Sequence, residues 1–224
     1  MKTCVIIPTY NEAQAIGKLI EEIHSQGLEE VVVVDDGSQD STARLARDSG
    51  AKVFKNPHNQ GKGASLVKGF KYALSEDFAA VITMDGDGQH LAEDLPLFLE
   101  QSRNSRAGII IGNRMLETKG MPCSRVLTNR FMSWLISLMA KQEIPDSQCG
   151  FRLIRRELLE HLNLNTTKYE TESEMLIRAG QLGFGIDSVA VNTIYSGQKS
   201  QINSFLDTIR FIRFIFQEIW NMPF

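Results

Sequence analysis

Residues 79–90 read Ala79-Ala80-Val81-Ile82-Thr83-Met84-Asp85-Gly86-Asp87-Gly88-Gln89-His90, an apolar run that leads straight into two carboxylates two residues apart. A short, continuously apolar run rich in β-branched residues suits a strand covered on both faces, as in a parallel sheet. In such sheets ligands bind beyond the carboxyl ends of the strands, which is where Asp85 and Asp87 would stand. A pair of carboxylates can hold a hard cation such as Mg²⁺, usually together with the phosphates of a substrate. Gly86 and Gly88 let the backbone turn tightly and approach a ligand. A solvated acidic turn between a strand and a helix explains an isolated Asp-x-Asp just as simply, so its surroundings decide.

Those surroundings repeat the same pattern. Strand-like runs at Cys4 to Ile7, Val31 to Val34, Lys52 to Phe54 and Gly108 to Ile111 alternate with helical patterns at Ala13 to His24, Ser41 to Asp48 and Ala64 to Leu74. Val/Ile runs separated by amphipathic helices predict an α/β fold, a mostly parallel central sheet with helices on both faces. After the first strand come Pro8-Thr9-Tyr10-Asn11-Glu12, after the second Asp35-Asp36-Gly37-Ser38, after the last Gly112-Asn113-Arg114. Helix capping accounts for single members: Asp40 or Ser41, and Asn11 or Glu12, each precede a helix. Capping does not account for Asp35, Asp36, Asp85 and Asp87 gathering at one edge, where like charges repel unless a cation or donors compensate.

With 24 Lys and Arg against 27 Asp and Glu, the net charge of −3 leaves no global basic field for nucleic acid, so an anionic partner must be met locally. Cys4, Cys123 and Cys149 have no pairing or metal-ligand spacing, which fits a reducing compartment. The N-terminal apolar segment is too short for a signal peptide, and no run approaches the roughly 18 apolar residues that span a bilayer. A soluble or peripheral cytosolic protein is expected. No Pro/Gly/Ser-rich linker divides the 224 residues, so one domain is expected, with residues 1–115 as the ligand-binding half, 116–204 as the acceptor half and 205–224 as a C-terminal amphipathic helix.

Neither Gly-x-Gly-x-x-Gly after the first strand nor Gly-x-x-x-x-Gly-Lys-Ser/Thr is present, so backbone amides at a helix start are not the evident phosphate site. Phosphates would instead be neutralised by metal on Asp87 and by cations such as Arg114, with Asp35 or Asp36 accepting hydrogen bonds from a base or ribose. This describes a metal-bound nucleoside diphosphate. Asn59-Gln60-Gly61-Lys62-Gly63 can contribute to holding it, or be a plain turn with a helix start.

Taken together, these motifs resemble the family 2 glycosyltransferases of the GT-A fold, and among them the dolichol-phosphate or polyprenyl-phosphate sugar synthases. The resemblance covers nearly the whole chain and extends to Cys149-Gly150-Phe151-Arg152, Tyr169 to Leu176 and Tyr195-Ser196-Gly197-Gln198-Lys199-Ser200. It implies that Pro8, Tyr10, Glu12, Asp36 and Lys62 line a nucleotide-sugar pocket, with Asp35 beside it. It implies that Asp85 and Asp87 form the metal site for Mg²⁺ or Mn²⁺, Asp87 as direct ligand and Gln89 next to it. Arg114 would face the diphosphate or the acceptor phosphate. Gly86 stands where such synthases often carry Ala, an exchange expected to be tolerated.

The segment Arg125 to Ala140 is apolar on most sides, too short to span, and reads either as a core helix or as an interfacial helix on a membrane surface. Phe205 to Trp220, interrupted by Arg210 and Arg213, suits a membrane-surface helix or a contact with a second copy or a membrane protein. A polyprenyl acceptor would explain both segments. For a hydroxyl acceptor a general base is needed, and Glu172 and Glu174 are the candidates; a phosphate acceptor is already largely ionised and needs none. Arg114, Arg125, Arg130, Arg152 and Lys199 are the cations expected to meet it. Asp146 would orient Arg152 or the sugar, or cap a turn.

The leading expectation is a metal-dependent inverting transfer of a hexose from a nucleotide sugar to a polyprenyl phosphate at the cytoplasmic face of the membrane. A sugar hydroxyl of a surface glycan is the alternative acceptor. A non-catalytic phosphoacceptor domain holding metal on Asp35 and Asp36 would leave Asp85, Asp87 and Arg114 without use, and a nucleotidyltransferase should carry a Gly-rich loop after the first strand.

Overall fold

The computed structural model describes residues 1–194 together with residues 210, 211, 213–215 and 218. Seven strands form one sheet: β1 (Thr3–Thr9), β2 (Val31–Asp35), β3 (Lys52–Lys55), β4 (Ala80–Thr83), β5 (Ile109–Asn113), β6 (Arg152–Arg155) and β7 (Ile186–Ala190), in the order β3-β2-β1-β4-β6-β5-β7. All neighbours are parallel except β6, which runs antiparallel between β4 and β5. The mostly parallel sheet and the first strands and helices follow the periodicity reading; β6 and β7 do not, because Arg152-Leu-Ile-Arg155 and Ile186-Asp-Ser-Val-Ala190 lack continuous apolar runs.

Side chains alternate across the sheet, so β1 and β2 feed both faces. Cys4, Ile6, Val32 and Val34 pack with α3 (Lys62–Ser75), α5 (Cys123–Ala140), α6 (Arg156–Leu159) and α7 (Glu170–Gln181). Val5, Ile7, Val31 and Val33 pack on the other face with α1 (Ile16–Ser25), α2 (Thr42–Asp48) and α4 (Leu95–Asn104). Covering both faces is what allows these strands to be apolar without alternation. The carboxyl ends of β1, β2, β4 and β5 lie at one edge. The loop preceding β6 returns to that edge, since Arg152 opposes both Thr83 and Ile111.

Two expectations are revised. Arg210, Phe211, Arg213, Phe214, Ile215 and Glu218 are helical, and the apolar residues among them lie on the domain's own core. Phe214 and Ile215 are buried in the cluster with α5 and α7, Phe211 packs against it, and Glu218 pairs with Arg178 of α7 at 2.7 Å. Only Arg210 and Arg213 of these face solvent. Helix α5 packs on the core along one face and leaves large apolar residues exposed on another. Asn129, Ser133, Ile136, Met139 and Ala140 are buried, while Leu127, Phe131, Trp134 and Leu138 are large apolar residues left in solvent. Among the described residues no helix is long and apolar enough to cross a membrane.

Candidate active site

The tips of β1 and β2 are latched to each other. The Asp36 N–H donates to the Thr9 carbonyl, the Asn11 N–H to the Ser38 hydroxyl at 2.9 Å, and the Glu12 N–H to the Thr42 hydroxyl at 2.8 Å. Asn11 adopts the left-handed conformation (φ 57°), which Asn tolerates better than most residues, and its side-chain carbonyl accepts from the Gln39 N–H. This holds half-buried Tyr10 and Glu12 beside buried Pro8 at the sheet edge.

Asp36 was expected to receive a base or ribose. Its carboxylate instead accepts from the Asn56 side chain and from the Gln60 and Gly61 N–H groups, at 2.7–2.9 Å, and so pins the loop that leads into α3. Asp35 is fully buried; one oxygen accepts from the Ser38 N–H, and the other has no hydrogen bond and lies 3.6 Å from the Lys55 ammonium. These two carboxylates act on the walls of the pocket, because burial obliges them to find protein donors.

The loop fixed by Asp36 delivers Lys62 as the first residue of α3. Its ammonium bridges Asp85 at 2.5 Å and Glu172, on α7, at 3.0 Å. Burial lowers the Lys62 pKa, but Asp85 and then Glu172 outweigh it and the net shift is upward. Burial likewise raises the Asp85 carboxyl, yet Lys62 and His90 hold it well below the usual range; the His90 imidazole is 3.5 Å away and stacks on Phe151. Gly150 makes room for this meeting: a Cβ there would lie 2.9 Å from both Asp85 oxygens and 3.0 Å from Glu172.

Asp87 is not neutralised in this way. Burial and then Asp85 raise its pKa, although it accepts from the Gln89 N–H at 3.0 Å. Glu12 is pushed up to about 7 by burial, Asp87, Asp40 and Asp85. Carboxylates that raise one another's pKa form a site short of positive charge. Among the described residues no three His, Cys, Asp or Glu side chains form a ready-made metal cage. The donor set therefore fits a hard cation held by one or two carboxylates, Asp87 and Asp85, with the remaining ligands supplied by a substrate's phosphates and water.

A Cβ at Gly86 would lie 2.6 Å from the Thr9 methyl, so the Asp-x-Asp turn rests directly on the tip of β1.

Of the expected acceptor cations, Arg114 and Arg152 are buried and built into the protein. The Arg114 guanidinium makes a two-pronged pair with Asp146 at 2.7 and 2.9 Å, and the same carboxylate accepts from the Arg114 N–H. Arg152 donates to the carbonyls of Cys149, Ser147 and Glu172, tying the loop before β6 to α7. Asp146 therefore orients Arg114, not Arg152. Arg125 and Arg130 are exposed on α5, and Lys199 lies outside the described residues, as does the motif at 195–200. Glu174, a candidate base, is 1% exposed; its oxygens accept from the Asn165 and Thr166 N–H groups and the Thr166 hydroxyl. It folds the loop before α7.

Beyond the ends of β5 and β7 lies a cavity of about 180 Å³ lined by Arg114, Glu117, Lys119, Val191, Asn192 and Thr193. Its Val191–Thr193 wall adjoins the acidic turn, because Thr193 bridges His90 and the Ile194 N–H donates to the Gln89 carbonyl. The periodicity reading missed this wall: Asn192 and Thr193 carry no motif, and only the pairing of β7 with β5 brings them to the edge.

These groups at one sheet edge, the Asp-x-Asp turn and the cavity beside it, stand in a chain with recognisable relatives. It is 30% identical over 216 residues to the UDP-N-acetylglucosamine–dolichyl-phosphate N-acetylglucosaminyltransferase of Methanococcus voltae, covering 86% of this chain and 85% of that one. It is 30% identical over 210 residues to the undecaprenyl-phosphate mannosyltransferase of Micrococcus luteus, covering 87% and 84%. In fold it matches the glucosyl-3-phosphoglycerate synthase of Mycobacterium tuberculosis, solved with Mn²⁺, UDP-glucose and phosphoglyceric acid, with a TM-score of 0.78 over 99% of this chain and 81% of that one at 21% identity. The model of glycosyl transferase family 2 spans residues 4–162, from the first strand through the loop that carries Asp146 to just beyond α6, and the chain belongs to that family.

Proposed function

We propose that the protein is a divalent-metal-dependent inverting glycosyltransferase that moves a hexose from a nucleotide sugar, of the GDP-mannose or UDP-glucose type, to a polyprenyl phosphate at a membrane surface. Family membership and the names of the two relatives support the sugar transfer and the class of acceptor. The metal is supported by the donor set at Asp85 and Asp87 and by Mn²⁺ in the solved relative of the same fold.

In this reading Pro8, Tyr10 and Glu12 line the donor pocket, while Asp35 and Asp36 keep its walls in place. Lys62 holds Asp85 and Glu172 in fixed positions before the donor arrives, so less reorganisation is left for the reaction. When bound, the cation neutralises the diphosphate and eases its departure. Arg114, held in place by Asp146, and Lys119 stand with Glu117 in the lining of the cavity beside the acidic turn, and these two cations are the groups offered to an acceptor phosphate there.

One observation carries the choice of a phosphate over a hydroxyl acceptor: of the glutamates on α7, neither candidate base, Glu172 or Glu174, is free of protein partners. Glu174 is buried with its oxygens engaged, and Glu172 is paired with Lys62. A phosphomonoester, with its second ionisation near pH ~6, arrives with its nucleophilic oxygen already charged and needs no base. The test offers labelled nucleotide sugar with a polyprenyl phosphate and, separately, with the matching polyprenyl alcohol. Label in the phosphate alone, undiminished in relative preference by Glu172→Gln, supports this reading. Label in the alcohol, lost with Glu172→Gln, would assign that glutamate as a base and a hydroxyl as the acceptor.

A further inference from the structure

Helix α5 has a buried face and, nearly opposite, an exposed apolar one. At 3.6 residues per turn, buried Asn129, Ser133, Ile136 and Ala140 fall within an arc of about 60°, and Leu127, Phe131, Trp134 and Leu138 fall within another of about 60° centred roughly 160° away. The second set is 72, 58, 57 and 57% exposed. Such a stripe follows i, i+4, i+7, i+11 and forms one continuous ridge. The ring of Phe131 lies 5.9 Å from that of Trp134. Single exposed apolar residues are ordinary, but a ridge of four, two of them aromatic, marks a contact surface.

We propose that this ridge is the surface by which the protein docks on an anionic lipid bilayer, with α5 lying in the plane of the interface. The inference rests on the acceptor being a lipid phosphate, and it assigns the residues that bring the protein to it. Charge selects the occupant. Helix α5 contains no carboxylate in its 18 residues; its charges are Arg125 and Arg130, both exposed, and exposed Lys141 follows directly. A helix with Trp, Phe and Leu on one side, flanked by cations and lacking acids, has the composition that partitions into negatively charged interfaces. In the segment that leads into α5, Leu116 is 73% exposed, and the exposed Glu117 and Lys119 balance in charge.

The same helix touches the candidate active site from its other side. The Ser147 N–H donates to the Ser133 hydroxyl at 2.8 Å, and Ser147 follows Asp146, the residue that holds Arg114. Arg114 and Lys119, in the chain between β5 and α5, line the cavity. A bilayer against the outer ridge therefore lies one helix thickness, about 10 Å, from the loop that positions Arg114.

The experiment is co-sedimentation of the full chain with phosphatidylglycerol/phosphatidylcholine vesicles and with phosphatidylcholine alone, for the parent and for Phe131→Ser/Trp134→Ser. The expected result is binding to the anionic vesicles that falls at least about tenfold in the double variant and weakens in high salt. Leu182→Ser, an exposed leucine at the end of α7, is the control and should bind like the parent. An unchanged unfolding midpoint verifies that the double variant is folded, as expected for exposed positions. Equal vesicle binding by parent and double variant overturns the proposal, and so does a parent dimer that the double variant dissociates without change in vesicle binding, which would make the ridge a contact between copies. Transfer to a short, water-soluble polyprenyl phosphate separates this from the functional reading. Ridge-dependent vesicle binding without any such transfer leaves the docking surface standing and removes the acceptor; transfer with ridge-independent binding does the reverse.

Discussion

The Lys62 ammonium stands 2.5 Å from the Asp85 carboxylate, the first acid of the Asp-x-Asp turn, and Glu172 approaches it from the other side at 3.0 Å. A strand end, the first turn of α3 and the first turn of α7 are thereby joined at one point. Removing the cation leaves two carboxylates facing each other across Gly150 with little water to screen them. Breaking a buried pair by deleting one partner costs about 3–5 kcal/mol. Because the group is only mostly buried, Lys62→Met should lower unfolding stability by about 3 kcal/mol, and adding Glu172→Gln should recover part of it. Urea unfolding of the three proteins checks both signs.

The contact between Gly86 and Thr9 gives a compensating pair. Gly86→Ala should weaken nucleotide-sugar binding roughly tenfold, since about 1–3 kcal/mol accompanies overpacking, and it should do so by displacing the Asp85–Asp87 turn. Thr9→Ser removes the methyl that a Cβ at 86 would strike. Binding titrations should find the double variant closer to the parent than Gly86→Ala alone; equal loss in both would show that the methyl is not the obstacle.

Arg152 and Arg130 should separate sharply. Arg152→Ala leaves the carbonyls of Ser147, Cys149 and Glu172 without their buried donor, at about 1–3 kcal/mol for each group stranded. It should express poorly or unfold several degrees earlier in a thermal melt. Arg130 is exposed, so Arg130→Ala should melt within about a degree or two of the parent, as surface substitutions do within ±0.5 kcal/mol.

Glu12 gives the site a pH dependence. Its carboxyl ionises normally near 4.5 and is pushed up to about 7 by burial and by Asp87, Asp40 and Asp85. Between those values the folded protein holds a proton that the unfolded chain has released, so this group stabilises the metal-free fold below pH ~4.5 and its contribution is lost as pH rises through about 7. A divalent cation prefers the ionised form. Mn²⁺ should therefore bind more tightly as pH is raised from 6 to 8, releasing a proton, and Glu12→Gln should flatten that dependence. Calorimetric titration in two buffers of different ionisation heat measures the proton count.

What the sequence made legible divides along the range of the interactions. The strands β1, β2 and β4 and the acids at their ends follow from Val/Ile runs punctuated by Asp and Gly, a local signal. Strand β6 was not legible, since a four-residue edge of arginines around Leu153-Ile154 is a strand only because β4 and β5 leave a gap for it. The roles of the charged residues were the least legible. Arg114, Arg152, Asp36 and Glu174 look like ligand-binding groups in a one-dimensional reading, and burial binds each of them to protein partners 8 to 32 positions away. Residue type announced the chemistry of the edge; pairing across the fold decided which side chains remain to perform it.

The most direct test of the account is transfer of labelled sugar from GDP-mannose and UDP-glucose to a polyprenyl phosphate by the purified chain, with Mg²⁺ or Mn²⁺ and then with chelator, beside Asp87→Asn. The account predicts label in the lipid phosphate that requires the cation and falls at least about a hundredfold in Asp87→Asn, the loss expected when a group that holds transition-state charge is removed. Transfer that survives both chelator and Asp87→Asn would contradict it.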